Sequence, residues 1–376
     1  MKVGHKIRLN PTPEQEKYFI QACNAARIAY NWGLAEWNRM YKAGDKPNVN
    51  KVKKRFNAIK RESYPWVCKV TKCATEGALR DLGTAFSNWF KNRDHFGRPR
   101  FKKKGNCKES FYLANDKFTL SGHRIKVPKL GKYTGNQKLS WVNMAEAVRF
   151  KGHILSGRIS RQAGKWYISI NVEIPHNSKP HQRVGTAVGV DLGISHLATL
   201  STGEVIENLN ASDHQSLLKL KRLNRELSRR QEGSTYWRET LDKIQRLHLR
   251  IANQRRDHIH KMTTYLTSEF EFIALEDLNV AGLLKNHRLA MSISDASWAE
   301  IVRQIEYKAS QYGGKVQKVD RFFPSSRICS KCGHRNSELK LKDRTYVCIN
   351  PHCGIIIDRD LNAALNILKE GLSLSL

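Results

Sequence analysis

The spacing of apolar residues changes several times along this chain, and each change marks a predicted element. Residues 1–10 alternate, with Val3, His5, Ile7 and Leu9 on one side, which is the two-residue period of a strand. Asn10-Pro11-Thr12-Pro13-Glu14 reads as a helix start with Thr12 as N-cap. From there to about residue 92 the spacing is helical. One series contains Tyr18, Phe19, Cys23, Ala26, Tyr30, Trp32, Leu34 and Trp37, and a second contains Ala78, Leu79, Leu82, Ala85, Phe86 and Trp89.

At Phe96-Gly97-Arg98-Pro99-Arg100-Phe101-Lys102-Lys103-Lys104-Gly105 the helical spacing stops in a basic loop with two aromatics. From about 108 to 176, short segments separated by Gly and Pro predict an antiparallel β domain, with strands at Ser110–Leu113, Phe118–Leu120, Ile125–Val127, Ala147–Phe150 and Trp166–Val172. Pro175 to Arg183 reads as a polar hinge. Beyond it, Thr186–Leu192 and Leu197–Leu200 predict paired strands turning at Thr202-Gly203. A basic helical region follows over 213–268, broken near Gly233-Ser234. Strand Phe272–Leu275, helix Trp298–Tyr312 and strand Lys315–Val319 come next. This alternation matches a ribonuclease H-like α/β fold.

Three acidic patches interrupt these apolar runs. Asp191 ends Ala-Val-Gly-Val and Glu276 ends Phe-Ile-Ala-Leu, so both close buried strands. Asp358 and Asp360 stand at the start of a third apolar-periodic segment, where Asp358 can cap the helix and Asp360 can project from its first turn. Asp277, next to Glu276, should face the other side of its strand. Carboxylates at the ends of buried strands are costly unless a cation lies between them. A pair of Mg²⁺ ions is the economical solution, an all-oxygen arrangement used to cut phosphodiesters. Solvated loop acids are the alternative for any single patch. Fourteen histidines are present, none in a His-x-x-x-His or Ser/His/Asp context, so covalent nucleophilic catalysis has no support.

Cys329-Ser-Lys-Cys332 and Cys348-Ile-Asn-Pro-His-Cys353 are separated by 15 residues. Two such thiolate pairs read as a structural zinc ribbon, because each short loop lets both its cysteines reach one tetrahedral Zn²⁺ ion. The second pair is spaced more widely than usual, so His352 competes with Cys353 for the fourth position. Cys23, Cys68, Cys73 and Cys107 lie in unrelated contexts.

Charge then selects the partner. The formal net charge is +32, and residues 1–190 hold 38 Lys and Arg against 12 Asp and Glu, while 191–376 hold 28 against 22. The first half is therefore +26 and the second +6. A polyanion fits such a surface, since each phosphate neutralised releases counterions. The basic residues interleave with Trp, Phe, Gly and Pro and form no long amphipathic run, which favours nucleic acid over a membrane surface. Arg98, Arg100, Lys102, Lys103 and Lys104 are the candidate contacts. With no long apolar stretch and no signal-peptide core at the N-terminus, a cytoplasmic setting with reduced or metal-bound cysteines is expected.

Gly-Val-Asp-Leu-Gly-Ile, Leu-Glu-Asp-Leu, Pro-Ser-Ser-Arg-Ile-Cys-Ser-Lys-Cys-Gly and Asp-Arg-Asp-Leu-Asn-Ala-Ala-Leu-Asn-Ile occur in that order. Together they resemble the RuvC-type nuclease and inserted zinc ribbon of the TnpB family, the insertion-sequence-encoded relatives of type V CRISPR effectors. Lys-Ile-Arg-Leu-Asn-Pro-Thr-Pro-Glu-Gln-Glu, Ala-Tyr-Asn-Trp-Gly-Leu and Pro-Arg-Phe-Lys-Lys-Lys extend the resemblance over nearly the whole chain. The longer second cysteine pair is the departure.

The resemblance implies a multidomain α+β protein. A β-barrel wedge domain (1–10 and 106–183) would be interrupted by a helical recognition domain (11–105), and a RuvC-like nuclease (184–322 and 355–376) by a zinc ribbon (323–354). It further implies an RNA-guided, Mg²⁺-dependent DNA endonuclease, one protein copy with a transposon-derived guide RNA, which reads a short motif beside its double-stranded DNA target. Asp191, Glu276 and Asp360 carry over as catalytic metal ligands, and Cys329, Cys332, Cys348 and Cys353 as zinc ligands. The alternatives are a strand-transferring transposase and a nuclease-dead, RNA-guided DNA-binding repressor.

Overall fold

Strand β1 (Lys2–Asn10) buries His5, Ile7 and Leu9 and exposes the residues between them, as its alternation predicts. The computed structural model describes residues 1–175, 185–209, 214–283, 285, 296–340 and 342–375. It divides into two units, Met1–Pro175 and His176–Leu376. Of the hinge predicted over Pro175 to Arg183, residues 176–183 lie outside the described residues.

In the first unit β1 joins β2 (Ser110–Ala114), β3 (Thr119–Ser121), β4 (Arg124–Lys126), β5 (Trp141–Met144), β6 (His153–Gln162) and β7 (Lys165–Glu173). They form one antiparallel sheet in the order β2-β6-β7-β1-β5-β4-β3. Between β1 and β2 the chain inserts three helices, α1 (Pro13–Lys42), α2 (Val49–Ser63) and α3 (Lys72–Lys91). Thr12 caps α1 in a reciprocal box with Gln15. Phe19 of α1 packs on Trp166 of β7 and Phe111 of β2, with ring centroids 5.1 and 5.8 Å away, fastening helix to sheet. Trp37 stacks on Phe86 of α3 at 4.2 Å. A short α4 (Leu130–Thr134) lies between β4 and β5.

Two expectations need correction here. Ala147–Phe150 is not a strand. The backbone N–H of Arg149 donates to His5 Nδ1 (3.3 Å), and Glu146 lies 3.3 Å from the other ring nitrogen, so side-chain contacts replace a ladder. The strands β5 and β6 escape the pattern. A bulge between Ile154 and Ser156 shifts the inward positions of β6 from one parity to the other, and Gly157 and Ser160 occupy buried places.

The second unit carries a five-stranded sheet in the order β10-β9-β8-β11-β12. Its members are β8 (Ala187–Asp191), β9 (His196–Leu200), β10 (Val205–Glu207), β11 (Phe272–Glu276) and β12 (Lys315–Val319). β11 runs parallel to both β8 and β12. The basic helical region forms α5 (His214–Ser228) and α6 (Thr235–Glu269), and Ser234 caps the second after a turn at Gly233 (φ +80°). A short α7 (Val280–Leu283), then α8 (Trp298–Tyr312) and α9 (Arg359–Ser373), complete the helices described.

The helices cover both faces of the sheet. Val188, Val190, Ile273 and Leu275 pack with Ile259, Met262 and Leu266 of α6 and Ile301 and Ile305 of α8. On the opposite face Ala274 and Val319 pack with Ile367 of α9. Between β12 and α9 the two-stranded ribbon of β13 (Thr345–Val347) and β14 (Ile356–Asp358) packs around Tyr346, Leu339 and cysteines. Among the described residues no helix is long and apolar enough to cross a membrane.

Glu36 of α1 is buried under two guanidinium groups. Arg39 binds it through two bonds of 2.8 Å, and Arg55 of α2 adds one of 2.6 Å. These bonds, Arg39's first, hold its carboxyl down at about 2. A depressed carboxyl contributes stability that is present above the unfolded value of about 4.3 and lost as pH falls toward 2, on the order of 2–3 kcal/mol. Acid denaturation of Glu36→Gln should therefore show lower stability at neutral pH and a flatter dependence between about pH 4 and 2 than wild type.

Candidate active site and metal centre

Strand alternation aims the two strand-end carboxylates at the same helix. Gly189 and Asp191 lie on one face of β8, and Ala274 and Glu276 on the same face of β11, all toward α9. In register, Leu275 pairs with Val190, so the two acids leave the sheet side by side. The small residues below them decide how near α9 can come. A Cβ on Gly189 would sit 2.1 Å from the Ala364 carbonyl oxygen and 2.7 Å from the Leu368 nitrogen, both backbone atoms of α9. A Cβ on Gly371 would meet the Ala274 Cβ at 2.6 Å. Glycine at both places lets the helix lie directly on the strands and brings its first turn to the acids.

The helix start separates the roles of its two aspartates. The Asp358 carboxylate accepts the backbone N–H groups of Asp360 and Leu361, both at 2.9 Å, and is spent as the N-cap. Asp360, one residue into the helix, stays half-buried and near Asp191. Burial, then the charges of Glu276 and Asp360, push the Asp191 carboxyl up to about 8, while Arg359 opposes them. Burial also raises Glu276, and the Ser325 hydroxyl, donating to its Oε1, counteracts that rise. Asp277 turns away, as alternation requires, and pairs with Arg321. Tryptophan 298 donates from Nε1 to the Gly193 carbonyl (3.3 Å), tying the loop after Asp191 to α8.

The accumulated negative charge is what a hard cation would relieve, and the donor set is all oxygen. Among the described residues the three carboxylates do not form a group whose ligand atoms all lie within 4.8 Å of one another.

The four cysteines do form such a group. Cys329 and Cys353 Sγ atoms are 3.7 Å apart, and those of Cys332 and Cys348 are 3.6 Å apart. Four sulfurs about 2.3 Å from one tetrahedral ion stand about 3.8 Å from each other, so the donor set fits a single zinc-like ion. Cys353 occupies the fourth place. His352 instead donates its backbone N–H to Asn350 Oδ1 (3.0 Å) in the turn that widens this pair. The His334 backbone N–H lowers the Cys332 thiol to about 7, whereas burial pushes Cys348 up to about 12.

The basic loop belongs to the first unit and is uneven. Lys102 is half-buried, its ammonium 3.8 Å from the centre of the Tyr30 ring and its backbone bonded twice to Asn31. Arg98 donates to Asn38 Oδ1 (3.0 Å). Arg100, Lys103 and Lys104 are exposed. Ser325 and Arg359 were not among the expected site residues: neither hydrophobic spacing nor metal-ligand chemistry distinguishes a serine or an arginine there.

Three family models match. One described as "Probable transposase" covers residues 169–287, and one described as "Cas12f1-like, TNB domain" covers 298–367. A third, a "Helix-turn-helix domain", covers 1–46, which fold as β1 and the single long helix α1. A Streptomyces pristinaespiralis protein named "Putative RNA-guided DNA endonuclease" is 33% identical, over 100% of this chain and 90% of its own length. An Escherichia coli protein named "Putative RNA-guided DNA endonuclease InsQ" is also 33% identical, over 97% and 91%. Among solved structures, that of the Cas12f1-sgRNA-target DNA complex shares the fold at a TM-score of 0.59 and 14% identity, covering 98% of both chains. The mini-RNA-guided endonuclease CRISPR-Cas_phi3 does so at 0.52 and 10%, covering 99% and 92%.

The contact of α9 with the sheet gives a direct test. Gly189→Ala places a methyl group against backbone that cannot swing aside, and overpacking of this kind costs about 1–3 kcal/mol. Thermal denaturation should show a lower Tm, while Gly203→Ala, where a Cβ meets nothing within 4 Å and only the φ of +89° is strained, should lower it less.

Proposed function

Starting from a chain that belongs to the TnpB-like family of RNA-guided DNA endonucleases, we propose that Asp191, Glu276 and Asp360 are its catalytic metal ligands and that Mg²⁺ is the ion they hold. The observation that carries this reading is the gathering of the three carboxylates at one end of the sheet, where burial first, and then the charges of Glu276 and Asp360, push Asp191 up to about 8. A structural acid is normally held by a cation or by N–H donors, as Glu36 and Asp358 are.

Each residue has a part. Asp191, which feels the charges of the other two, would be the shared ligand. Glu276 is held in place by Ser325, and Asp360 is carried into position by α9. Asp358, committed to capping, fixes the direction in which that helix starts. A pair of divalent ions supplies, when bound, the Lewis acidity needed for phosphodiester hydrolysis. The four cysteines would hold one Zn²⁺, which closes the ribbon and leaves no open coordination position.

The remaining assignments follow the same reading. The chain acts on double-stranded DNA selected by pairing with a guide RNA, beside a short motif read by protein. The +26 half supplies the phosphate-binding surface, with Arg100, Lys103 and Lys104 its exposed cations in the basic loop. Residues 1–10 and 106–183 serve as the wedge domain and 11–105 as the recognition domain. Residues 184–322 with 355–376 form the RuvC-like nuclease, and 323–354 the zinc ribbon. The description of one matching family as a transposase keeps strand transfer as the second reading, and dependence on RNA separates the two.

Protein purified with its bound RNA should cut linear target DNA from a library with randomised flanks. Asp191→Ala should abolish cutting while RNA and target binding persist; recovery of no discrete RNA, or cutting of transposon ends without RNA, would reject the guided reading. Metal analysis should find one zinc per chain, and Cys329→Ser should lower zinc content and folding yield together. Zinc unchanged in that variant would remove the ribbon assignment.

A further inference from the structure

The turn that precedes the first cysteine pair is bonded to two separate parts of the carboxylate site. Its Ser325 hydroxyl donates to Glu276 at the end of β11. Its backbone is gripped by two asparagines of α9, one helical turn apart. Asn366 Nδ2 donates to the carbonyls of Ser325 (2.8 Å) and Ile328 (2.6 Å). Asn362 Nδ2 donates to Ile328 (2.7 Å), and its Oδ1 accepts the backbone N–H of Ser330 (2.9 Å). Ser330 lies between Cys329 and Cys332, so this last bond enters the cysteine loop itself.

These polar groups are deeply placed: Asn362 is fully buried, Asn366 is 3% exposed and Ser325 6%. Buried amides of this kind are costly unless satisfied, and here they are satisfied by the cysteine turn alone among the bonds described. The same turn is closed from the other side, where Cys329 N–H donates to the His334 carbonyl (2.9 Å) and Asn336 N–H to Arg327 (2.8 Å). A displacement of the cysteine loop therefore moves Ser325 and, with it, the one described side chain that holds Glu276.

We propose that Ser325, Asn362 and Asn366 are positioning residues that lock the four-cysteine turn to α9 and thereby set Glu276 beside Asp191 and Asp360. The cysteine cluster then does more than stabilise its own ribbon: its order is a condition for ion binding at the carboxylates. This rests on the carboxylates being the ion site, and the experiment separates the two ideas.

The probe is Mn²⁺, titrated into zinc-loaded full-length protein with Asp191→Ala as the blank, alongside cleavage by the guide complex over a range of Mg²⁺ concentrations. Ser325→Ala should weaken Asp191-dependent Mn²⁺ binding and raise the half-saturating Mg²⁺ concentration about tenfold. Zinc content and guide-RNA binding should stay at wild-type levels, and Ser325→Thr, which keeps the hydroxyl, should restore the ion dependence. Asn366→Asp, which removes the Nδ2 donor, should shift it in the same direction as Ser325→Ala. Unchanged ion dependence in Ser325→Ala, or failure of Ser325→Thr to restore it, overturns the positioning role. Loss of zinc in Ser325→Ala also overturns it, by making the serine a structural part of the ribbon. Absence of Asp191-dependent Mn²⁺ binding in wild type removes the carboxylate site itself, and this inference with it.

Discussion

Repulsion among carboxylates at the end of a parallel pair of strands is the constraint around which the second unit is built. Burial and like charges held close both favour protonation or a bound cation, and together, burial foremost, they raise Asp191 to about 8. The fold bears the cost through contacts of an ordinary kind. β8 and β11 are fixed by apolar packing against α6 and α8 on one face. On the other, two glycines allow α9 to approach until its first turn meets the strand ends. No single one of these contacts has chemistry of its own, yet removing the close approach would disperse the acids.

The chain treats its other carboxylates differently. Glu36 is neutralised by two arginines, Asp277 by Arg321, and Asp358 by two backbone N–H groups. For Glu36 the two arginines stabilise the ionised form, so this carboxylate does structural work at neutral pH. The contrast between paired acids and crowded acids separates a site from a scaffold. It also separates Asp358 from Asp360, two residues apart and chemically identical.

Legibility in the sequence followed the range of the interaction concerned. Elements whose burial is decided by one face and one period were readable: β1, α1, α3, α8, β11 and β12 stand close to where their spacing predicts. Where a partner interrupts the period, the pattern misleads. The bulge in β6 changes its parity, and where Ala147–Phe150 was expected to pair in a ladder the Arg149 N–H bonds the His5 ring instead. The fourth cysteine position could not be chosen from spacing, because His352 and Cys353 are neighbours; the turn made by Asn350 decides it by aiming one inward and bonding the other's backbone.

The groups with costly chemistry are legible without coordinates: acids ending apolar strands, thiols in close pairs and a basic first half. Those are properties of residue type, spacing and charge, and all three are local or additive. Which of these groups meet depends on packing. Ser325 reaches Glu276 across 49 residues, and Asn362 and Asn366 reach the cysteine turn across more than 30. Such bonds depend on the distance between two backbones after packing, which in turn depends on the missing Cβ atoms of Gly189 and Gly371. A one-dimensional pattern carries no measure of that distance, so the ligands could be named in advance while the side chains that hold them in place could not.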